Sequence, residues 1–254
     1  MNDKDLRGLE RMNALAKELL EDESYFKLPN LRPKDAATLI LIDNGGPIAK
    51  VLLGKRHHGH KFMPGKYVFP GGGVEPADQR MPTARPLDRH VAQCLMRAVK
   101  RPSPGKARAL ALAAIRETYE ETGFLLGAPA SDTSGAPPGP WAAFAQAQIL
   151  PDLAAVHFVA RAITPPRRPK RFDTRFFAAD AGAIAHRVDG MIGPDAELVE
   201  LVWMPIGEAR HLDMPAITAV VLEELEARVA AGLGHDLPVP FYQMLHCRFV
   251  RELL

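Results

Sequence analysis

The feature that most constrains the fold is a predicted helix whose last turns are strongly acidic. Ser103-Pro104 has the chemistry of a helix N-cap followed by a first helical residue. Gly123 has that of a helix C-cap, because glycine readily adopts a left-handed backbone. A helix is therefore predicted from about 104 to 122.

Three carboxylates share one face at the end of this helix. Glu117, Glu120 and Glu121 stand at i, i+3 and i+4. Like charges at this spacing repel, and the negative end of the helix dipole costs roughly 0.3–1 kcal/mol per acid. A bound divalent cation would reverse both penalties, and oxygen donors suit Mg²⁺ or Mn²⁺. The residues alone also allow a solvated acidic helix end.

A glycine-rich turn lies upstream of the helix. The run Phe69-Pro70-Gly71-Gly72-Gly73 lets the backbone approach a ligand closely. A solvated acidic helix end does not predict such a loop, so the two features together favour a binding site.

The pattern resembles the box of the Nudix hydrolase family, which reads G, five residues, E, seven residues, then R-E-U-x-E-E-x-G-U, with U bulky and apolar. The matching residues are Gly72, Arg116, Glu117, Glu120, Glu121, Gly123 and Phe124. Asp78 replaces the first Glu, and Thr118 occupies the first U position. The box is also split, because 37 residues separate Asp78 from Arg116. A loop insertion costs little closure entropy, so the match tolerates it.

The remaining pattern predicts a mixed sheet with helices on both faces. Helices are expected at 6–21, 104–122, 141–148, 206–211 and 215–231, and strands at 36–43, 49–56, 67–69, 155–163, 174–179 and 197–204. The resemblance implies an α/β/α sandwich. We expect an N-terminal helical extension (1–34), a Nudix domain (35–212) whose box is split by an insertion at 79–108, and a C-terminal helical extension (213–254).

The resemblance also implies metal-dependent hydrolysis of a nucleoside diphosphate derivative. Glu117, Glu120 and Glu121 would bind Mg²⁺ or Mn²⁺, and Arg116 would orient the glutamates within the catalytic group. The first candidates for the general base are Glu121 and Glu117. An acid outside the box is the alternative, and Glu197 and Glu200 are its candidates.

The substrate is expected to be a small nucleotide-type molecule. An upstream signature of the peroxisomal coenzyme A diphosphatases is matched in part, by Leu52, Leu53, Arg56, Gly65, Phe69, Pro70, Gly71 and Gly72. The Ser-Ala expected in its middle is replaced by His57-His58-Gly59-His60, which we interpret as a polar loop. Coenzyme A is thus one candidate, beside ADP-ribose, dinucleotides and a capped RNA end. Predicted substrate contacts are Arg56, Gly71, Gly72, Arg171 and Arg175.

Positive charge is concentrated in two stretches, although the formal net charge is only +2. The first basic segment, residues 79–108, holds eight Lys and Arg against Asp88 alone; the second basic segment, residues 165–175, holds five against Asp173. Such stretches favour a polyanionic ligand or a solvated surface. No aromatic series accompanies the first, which disfavours nucleic acid. A nucleotide-sensing module without catalysis is a further alternative, disfavoured by the intact glutamates.

Composition restricts the setting of the protein. The strand-like run Ala36–Ile42, among the most apolar, spans seven residues, against about 20 for a membrane helix. The charged N-terminus lacks the apolar core of a secretory signal. With two cysteines, Cys94 and Cys247, a reducing cytoplasm is expected. The excess of Arg over Lys, with plentiful Ala and Pro, favours a GC-rich bacterial genome. The terminal extensions are candidate contacts of a homodimer.

Overall fold

A computed structural model describes residues 3–22, 24–59 and 63–254. The helices are α1 (Asp3–Glu21), α2 (Arg89–Met96), α3 (Pro104–Thr122), α4 (Trp141–Gln146), α5 (Ile206–Ala209) and α6 (Ala216–Ala230). The strands are β1 (Lys34–Asp43), β2 (Lys50–Arg56), β3 (Tyr67–Val68), β4 (Gly71–Gly73), β5 (Phe124–Leu126), β6 (Ala128–Pro129), β7 (Ile149–Leu150), β8 (His157–Ile163), β9 (Phe172–Asp180), β10 (Ile184–Arg187), β11 (Leu198–Pro205), β12 (Pro240–Leu245) and β13 (Arg248–Leu253). Short 3₁₀ turns lie at Tyr25–Lys27, Leu153–Ala155 and Ala181–Ala183.

A mixed sheet forms the middle layer, as the alternation of elements predicted. Its order within the described residues is β11-β2-β1-β9-β8-β12-β13, with β3 paired to β2 and β4 paired to β1. Strands β1 and β9 are parallel, as are β8 and β12, and the other pairs are antiparallel.

Apolar side chains cover both faces of this sheet. Helices α2, α3 and α4 pack on one face, around the alternate β1 residues Leu39 and Leu41. Helices α1, α5 and α6 pack on the other, around Ile40 and Ile42. Strand β1 contributes side chains to both cores, because successive strand residues point to opposite faces of the sheet. The result is the expected α/β/α sandwich.

The C-terminal stretch differs from the expectation of an all-helical extension. After α6, residues 240–253 form a hairpin, β12–β13, and β12 pairs in parallel with β8 of the main sheet. Its two-residue turn is His246-Cys247, both at positive φ, which supplies the twist that a tight hairpin needs. Side chains of α1 reach this hairpin, where Asn13 accepts from Phe249 N at 2.9 Å. The division at residues 34 and 212 stays a prediction.

The first basic segment contains a helix of its own. Asp88 caps α2 by accepting hydrogen bonds from the backbone N–H groups of His90 and Val91. The apolar side of α2, with Val91, Cys94 and Leu95, lies in the core beneath α3. The segment is therefore packed onto the sandwich. No helix in the described part of the chain is long and apolar enough to cross a membrane.

Candidate active site

The glycines of β4 bring the backbone against the acidic end of α3. Strand β4 pairs with the start of β1, so that Gly72 lies beside Ala37. A Cβ on Gly72 would stand 2.4 Å from Glu117 Oε1, which is too close for any side chain. Glycine is required here because the helix carboxylate occupies the space that a side chain would fill.

Both ends of α3 form as the sequence predicted. Ser103 Oγ accepts from Lys106 N at 3.4 Å at the first turn. Gly123 ends the helix with φ of 79° and donates its N–H to Tyr119 O at 2.8 Å. This fixed end places Glu117 and Glu121 toward β4 and leaves Glu120 partly exposed.

Arg116 connects the two halves of the glycine and acid pattern. Its side chain is 1% exposed, and its Nε and Nη2 donate to the Asp78 carboxylate at 2.8 and 3.2 Å. Nη2 also donates to Gly73 O at 2.7 Å. Nη1 donates to Glu117 at 3.0 Å and to Glu120. Burial alone would lower the pKa of Arg116, but its three carboxylate partners raise it instead.

Burial also raises the pKa of the two glutamates that face the glycines. The pKa of Glu117 is raised to about 7, first by burial, with Arg116 opposing and the charges of Glu120 and Glu197 adding. Burial raises the pKa of Glu121 well above its usual value, and Glu197 and Glu117 add to this. Glu121 accepts one hydrogen bond from Gly71 N at 3.1 Å. Negative charge is thus confined where little water solvates it.

Comparisons with known proteins agree with this geometry. No family model matches the chain. A solved structure, a Nudix hydrolase from Alicyclobacillus acidocaldarius, is 27% identical with a TM-score of 0.59. The aligned region covers 80% of this chain and 98% of the chain in that structure. The acyl-coenzyme A diphosphatase NUDT19 of Gallus gallus is 32% identical over 154 residues, which is 48% of this chain. In fold and in sequence the chain is thus similar to Nudix hydrolases.

Two departures from the Nudix box have local explanations. Asp78, where the family has Glu, is fully buried and still holds Arg116, while also accepting from Trp141 Nε1 at 3.2 Å. Thr118, at an apolar box position, is buried with its hydroxyl donating to Ala114 O at 2.8 Å. Each polar group is satisfied, so neither replacement disrupts the Nudix helix.

The match to the chicken protein spans 40% of that relative's length.

A fourth acid lies beside the Nudix box glutamates. Glu197 precedes β11 and pairs with Arg56 at 2.8 Å, and its charge raises the pKa of both Glu117 and Glu121. Glu200, the other alternative, is exposed and pairs in register with Lys55. Of the two candidates outside the box, the structure therefore brings only Glu197 to the site. Its partner Arg56 was marked in the sequence by the upstream signature.

The two arginines predicted from the second basic segment are engaged elsewhere. Arg171 donates to Thr164 O, Asn30 Oδ1 and Leu31 O. Arg175 is 2% exposed and pairs with Asp35 and Asp173 at 2.6 and 3.2 Å. The β1–β9 register places Arg175 opposite Ala37, hence two strands from Gly72. Substrate contact by these two arginines stays a prediction.

The donor chemistry at the box fits a hard divalent cation. The facing groups are oxygen donors, and burial together with their mutual repulsion leaves negative charge there to be offset. Within residues 3–22, 24–59 and 63–254, no three acidic, histidine or cysteine side chains already form a cation cage. Arg116 Nη1 donates to both Glu117 and Glu120, so these two carboxylates face the guanidinium.

Other predicted features lie outside the glutamate cluster. His57 Nδ1 accepts from Gly59 N at 2.9 Å, and the His58 ring lies over Gly65. His60 falls outside the described residues. Trp141 and Phe144 are both fully buried in the core beneath α3.

Proposed function

We propose that this protein hydrolyses a diphosphate linkage in a nucleoside diphosphate derivative, with coenzyme A or acyl-coenzyme A as the first substrates to test. The observation that carries the proposal is the pair of glutamates, partly buried Glu117 and buried Glu121, held against a glycine backbone by Arg116 and Gly71. The coenzyme A part rests on the partial upstream signature and on the name of the chicken relative. ADP-ribose and dinucleotides are the other small-molecule candidates.

In this proposal Glu117, Glu120 and Glu121 hold Mg²⁺ or Mn²⁺. Bound there, the cation would offset phosphate charge and lower the pKa of a coordinated water. Arg116 is a positioning residue, because it is buried and Asp78 fixes its direction. Arg56 and the N–H groups near Gly71 and Gly72 are the proposed substrate contacts.

The reaction itself needs a proton acceptor near the substrate phosphorus. A water oxygen bonds to phosphorus, the P–O bond to the bridging oxygen breaks, and a carboxylate takes the water proton. We propose Glu121 or Glu117 as this base, because both carboxylates lie against the Gly71–Gly72 backbone where the diphosphate would bind. Glu197 is the alternative base.

The test compares Glu121→Gln with Glu200→Gln, a matched change at an exposed acid. Coenzyme A, ADP-ribose, NADH and a dinucleoside polyphosphate are each incubated with Mn²⁺, and products are identified by mass. We expect Glu121→Gln to lose at least about a hundredfold in kcat, as for loss of a general base. Glu200→Gln should retain wild-type turnover.

The outcomes separate the parts of the proposal. Cleavage of coenzyme A to 3′,5′-ADP and phosphopantetheine supports reaction and substrate together. Cleavage of another compound keeps the reaction and removes coenzyme A. Retained activity in Glu121→Gln moves the base to Glu117 or Glu197. No turnover of any compound contradicts hydrolysis of these small molecules and favours either a nucleotide-sensing module or hydrolysis of an RNA end. Cytoplasmic location and a homodimer stay predictions.

A further inference from the structure

We propose that Trp141 is a positioning residue for the Nudix box, although it lies on α4, outside the box. Its indole N–H holds the carboxylate of Asp78, and Asp78 in turn fixes the direction of Arg116. Arg116 then holds Glu117 and Glu120. The inference rests on the proposed function, in which these glutamates bind the cation, and it adds a residue from outside the box to that site.

Packing against α3 fixes the position of the Trp141 ring. The ring is fully buried, and its centroid lies 4.9 Å from that of Phe144. Phe144 meets the ring of Tyr119, on α3, edge-on at 5.7 Å. The indole is therefore packed onto the same helix that carries the glutamates. A buried indole N–H can only donate and needs an acceptor, and here the acceptor is Asp78 Oδ1 at 3.2 Å.

The Asp78 carboxylate is fully buried and accepts two hydrogen bonds on each oxygen. Oδ1 accepts from Arg116 Nε at 2.8 Å and from the Trp141 indole. Oδ2 accepts from Glu75 N at 2.8 Å and from Arg116 Nη2 at 3.2 Å. The indole and the Glu75 N–H thus restrain the rotation of the carboxylate plane, one at each oxygen. Loss of the indole N–H would leave that rotation restrained at Oδ2 alone.

The plane of this carboxylate sets the direction in which Arg116 points. Nε and Nη2 of the arginine both bind Asp78, and a guanidinium is planar and rigid, so the pair fixes where Nη1 lies. Nη1 donates to Glu117 at 3.0 Å and to Glu120. A carboxylate that rotated would turn the guanidinium with it and shift both glutamates. The indole N–H therefore acts on the glutamates through two buried side chains.

A purely structural role for Trp141 makes a different prediction. The ring also fills the core beside Phe144, so its truncation lowers stability in either case. If filling the core were its whole role, the folded variant would bind Mn²⁺ as tightly as the wild type. If the indole N–H positions the glutamates, the folded variant binds Mn²⁺ more weakly, because groups behind the metal ligands orient them.

The first test compares Trp141→Phe with Trp203→Phe, the same change at the other tryptophan of the chain. Calorimetry measures Mn²⁺ affinity without substrate, and a thermal melt reports folding. We expect Trp141→Phe to weaken Mn²⁺ binding about tenfold, at the lower end for groups behind metal ligands, and Trp203→Phe to leave it unchanged. In the coenzyme A assay, kcat of Trp141→Phe should fall at limiting Mn²⁺ and recover with excess Mn²⁺. Lower stability with unchanged Mn²⁺ affinity would overturn the inference.

A second measurement needs no metal, no turnover and no change at Trp141. Nuclear magnetic resonance of ¹⁵N-labelled protein gives one indole N–H signal for each of the two tryptophans, and Trp203→Phe assigns them. Glu120→Gln removes a charge that Arg116 holds and should shift the Trp141 signal. Glu200→Gln, at an exposed acid, should leave it unchanged.

This measurement separates the inference from the proposed function. A shifted Trp141 signal in Glu120→Gln supports the connection through Arg116 and Asp78, even if no compound is cleaved. An unchanged signal overturns it, even if coenzyme A is cleaved. If the wild type binds no Mn²⁺, the proposed function fails, and the indole signal alone decides whether Trp141 positions the glutamates.

Discussion

Both basic segments are rich in Lys and Arg, but they differ in how many of those side chains contact the rest of the fold. In the second, Arg167 donates to the carbonyls of Phe26 and Leu28, and Arg171 to those of Thr164 and Leu31. Arg175 is buried between Asp35 and Asp173. In the first, Arg85 pairs with Asp152 and Arg108 donates to Gln79 O, but the connection between α2 and α3 leaves Arg97, Lys100 and Arg101 exposed. The density of basic residues in a sequence therefore does not distinguish an exposed basic surface from arginines that stabilise the interior of the fold.

The difference follows from where the acceptors are. The second basic segment lies between two central strands and beside the N-terminal stretch, so carbonyl and carboxylate oxygens surround it. Arginine's planar fork of donors can satisfy several of these oxygens at once. Helix α2, in contrast, projects its basic residues away from the apolar side that packs on the core.

The largest predicted effect concerns the buried arginine of the second basic segment. Arg175→Met should lower the free energy of unfolding by about 1.5–3 kcal/mol, because it removes the charge-assisted hydrogen bond of a buried guanidinium to Asp35, whereas Asp173 keeps its hydrogen bonds from Arg161. Arg187→Ala breaks an exposed pair with Asp189 and should cost less than about 1 kcal/mol. Urea denaturation measures both variants. Equal costs would mean that the buried arginine contributes no more than a surface charge.

The ends of the Nudix helix could be predicted because their signals are local in the sequence. The burial of Arg175 against Asp35 could not, because its signal is not local. Ser103 and Gly123 announce the ends of α3 within a few residues of the helix itself. The partner of Arg175, in contrast, is Asp35, which is 140 positions away and becomes a neighbour only through the register of β1 and β9. Glu197 reached the candidate list only through the family resemblance, for the same reason.

The C-terminal hairpin was missed for a different physical reason. Tight hairpin turns are usually marked by Asn-Gly or Asp-Gly, because both central residues need positive φ. Here His246 and Cys247 adopt that conformation with φ of 47° and 65°. Pairing of β12 with β8 stabilises a turn that the local sequence does not favour. Tertiary context overrode the turn preference.

A second prediction concerns how the free energy of unfolding depends on pH through His157, which packs against His235 near the capping residue Asp88. The His157 and His235 rings stack at 4.2 Å. The pKa of His157 is lowered to about 4, first by burial, then by His235 and Arg228, with Asp88 opposing. Because the unfolded chain binds this proton more readily, stability is full above about pH 6.5 and falls as the pH drops toward 4.

Urea denaturation at pH 8 and pH 5 measures this loss. For the wild type we expect about 1 kcal/mol from His157, after allowing for its partial exposure. His157→Phe keeps the stacking and removes the proton site, so its loss between the two pH values should be smaller by that amount. An unchanged pH dependence in the variant would assign acid sensitivity to other groups.

A smaller effect is expected from the surface end of the second basic segment. Arg167→Ala removes two hydrogen bonds to the 26–28 backbone and uncovers the Phe26 ring. About 1 kcal/mol of stability should be lost, and limited proteolysis should cut faster near residues 26–31. Arg168→Ala, its exposed neighbour, is the control. Similar cleavage of both variants would show that Arg167 does not stabilise the backbone of residues 26–28.

The smallest effect on stability is predicted for the exposed basic residues of the first basic segment. Lys100→Ala/Arg101→Ala should change the free energy of unfolding by less than about 0.5 kcal/mol, because exposed unpaired charges contribute little. At low salt the variant should even be slightly more stable, since fewer like charges crowd the end of α2, and added salt should erase that gain. The cost of Arg175→Met should resist salt, because a buried pair is poorly screened. If Lys100→Ala/Arg101→Ala instead costs as much as Arg175→Met, these two exposed side chains also stabilise the fold.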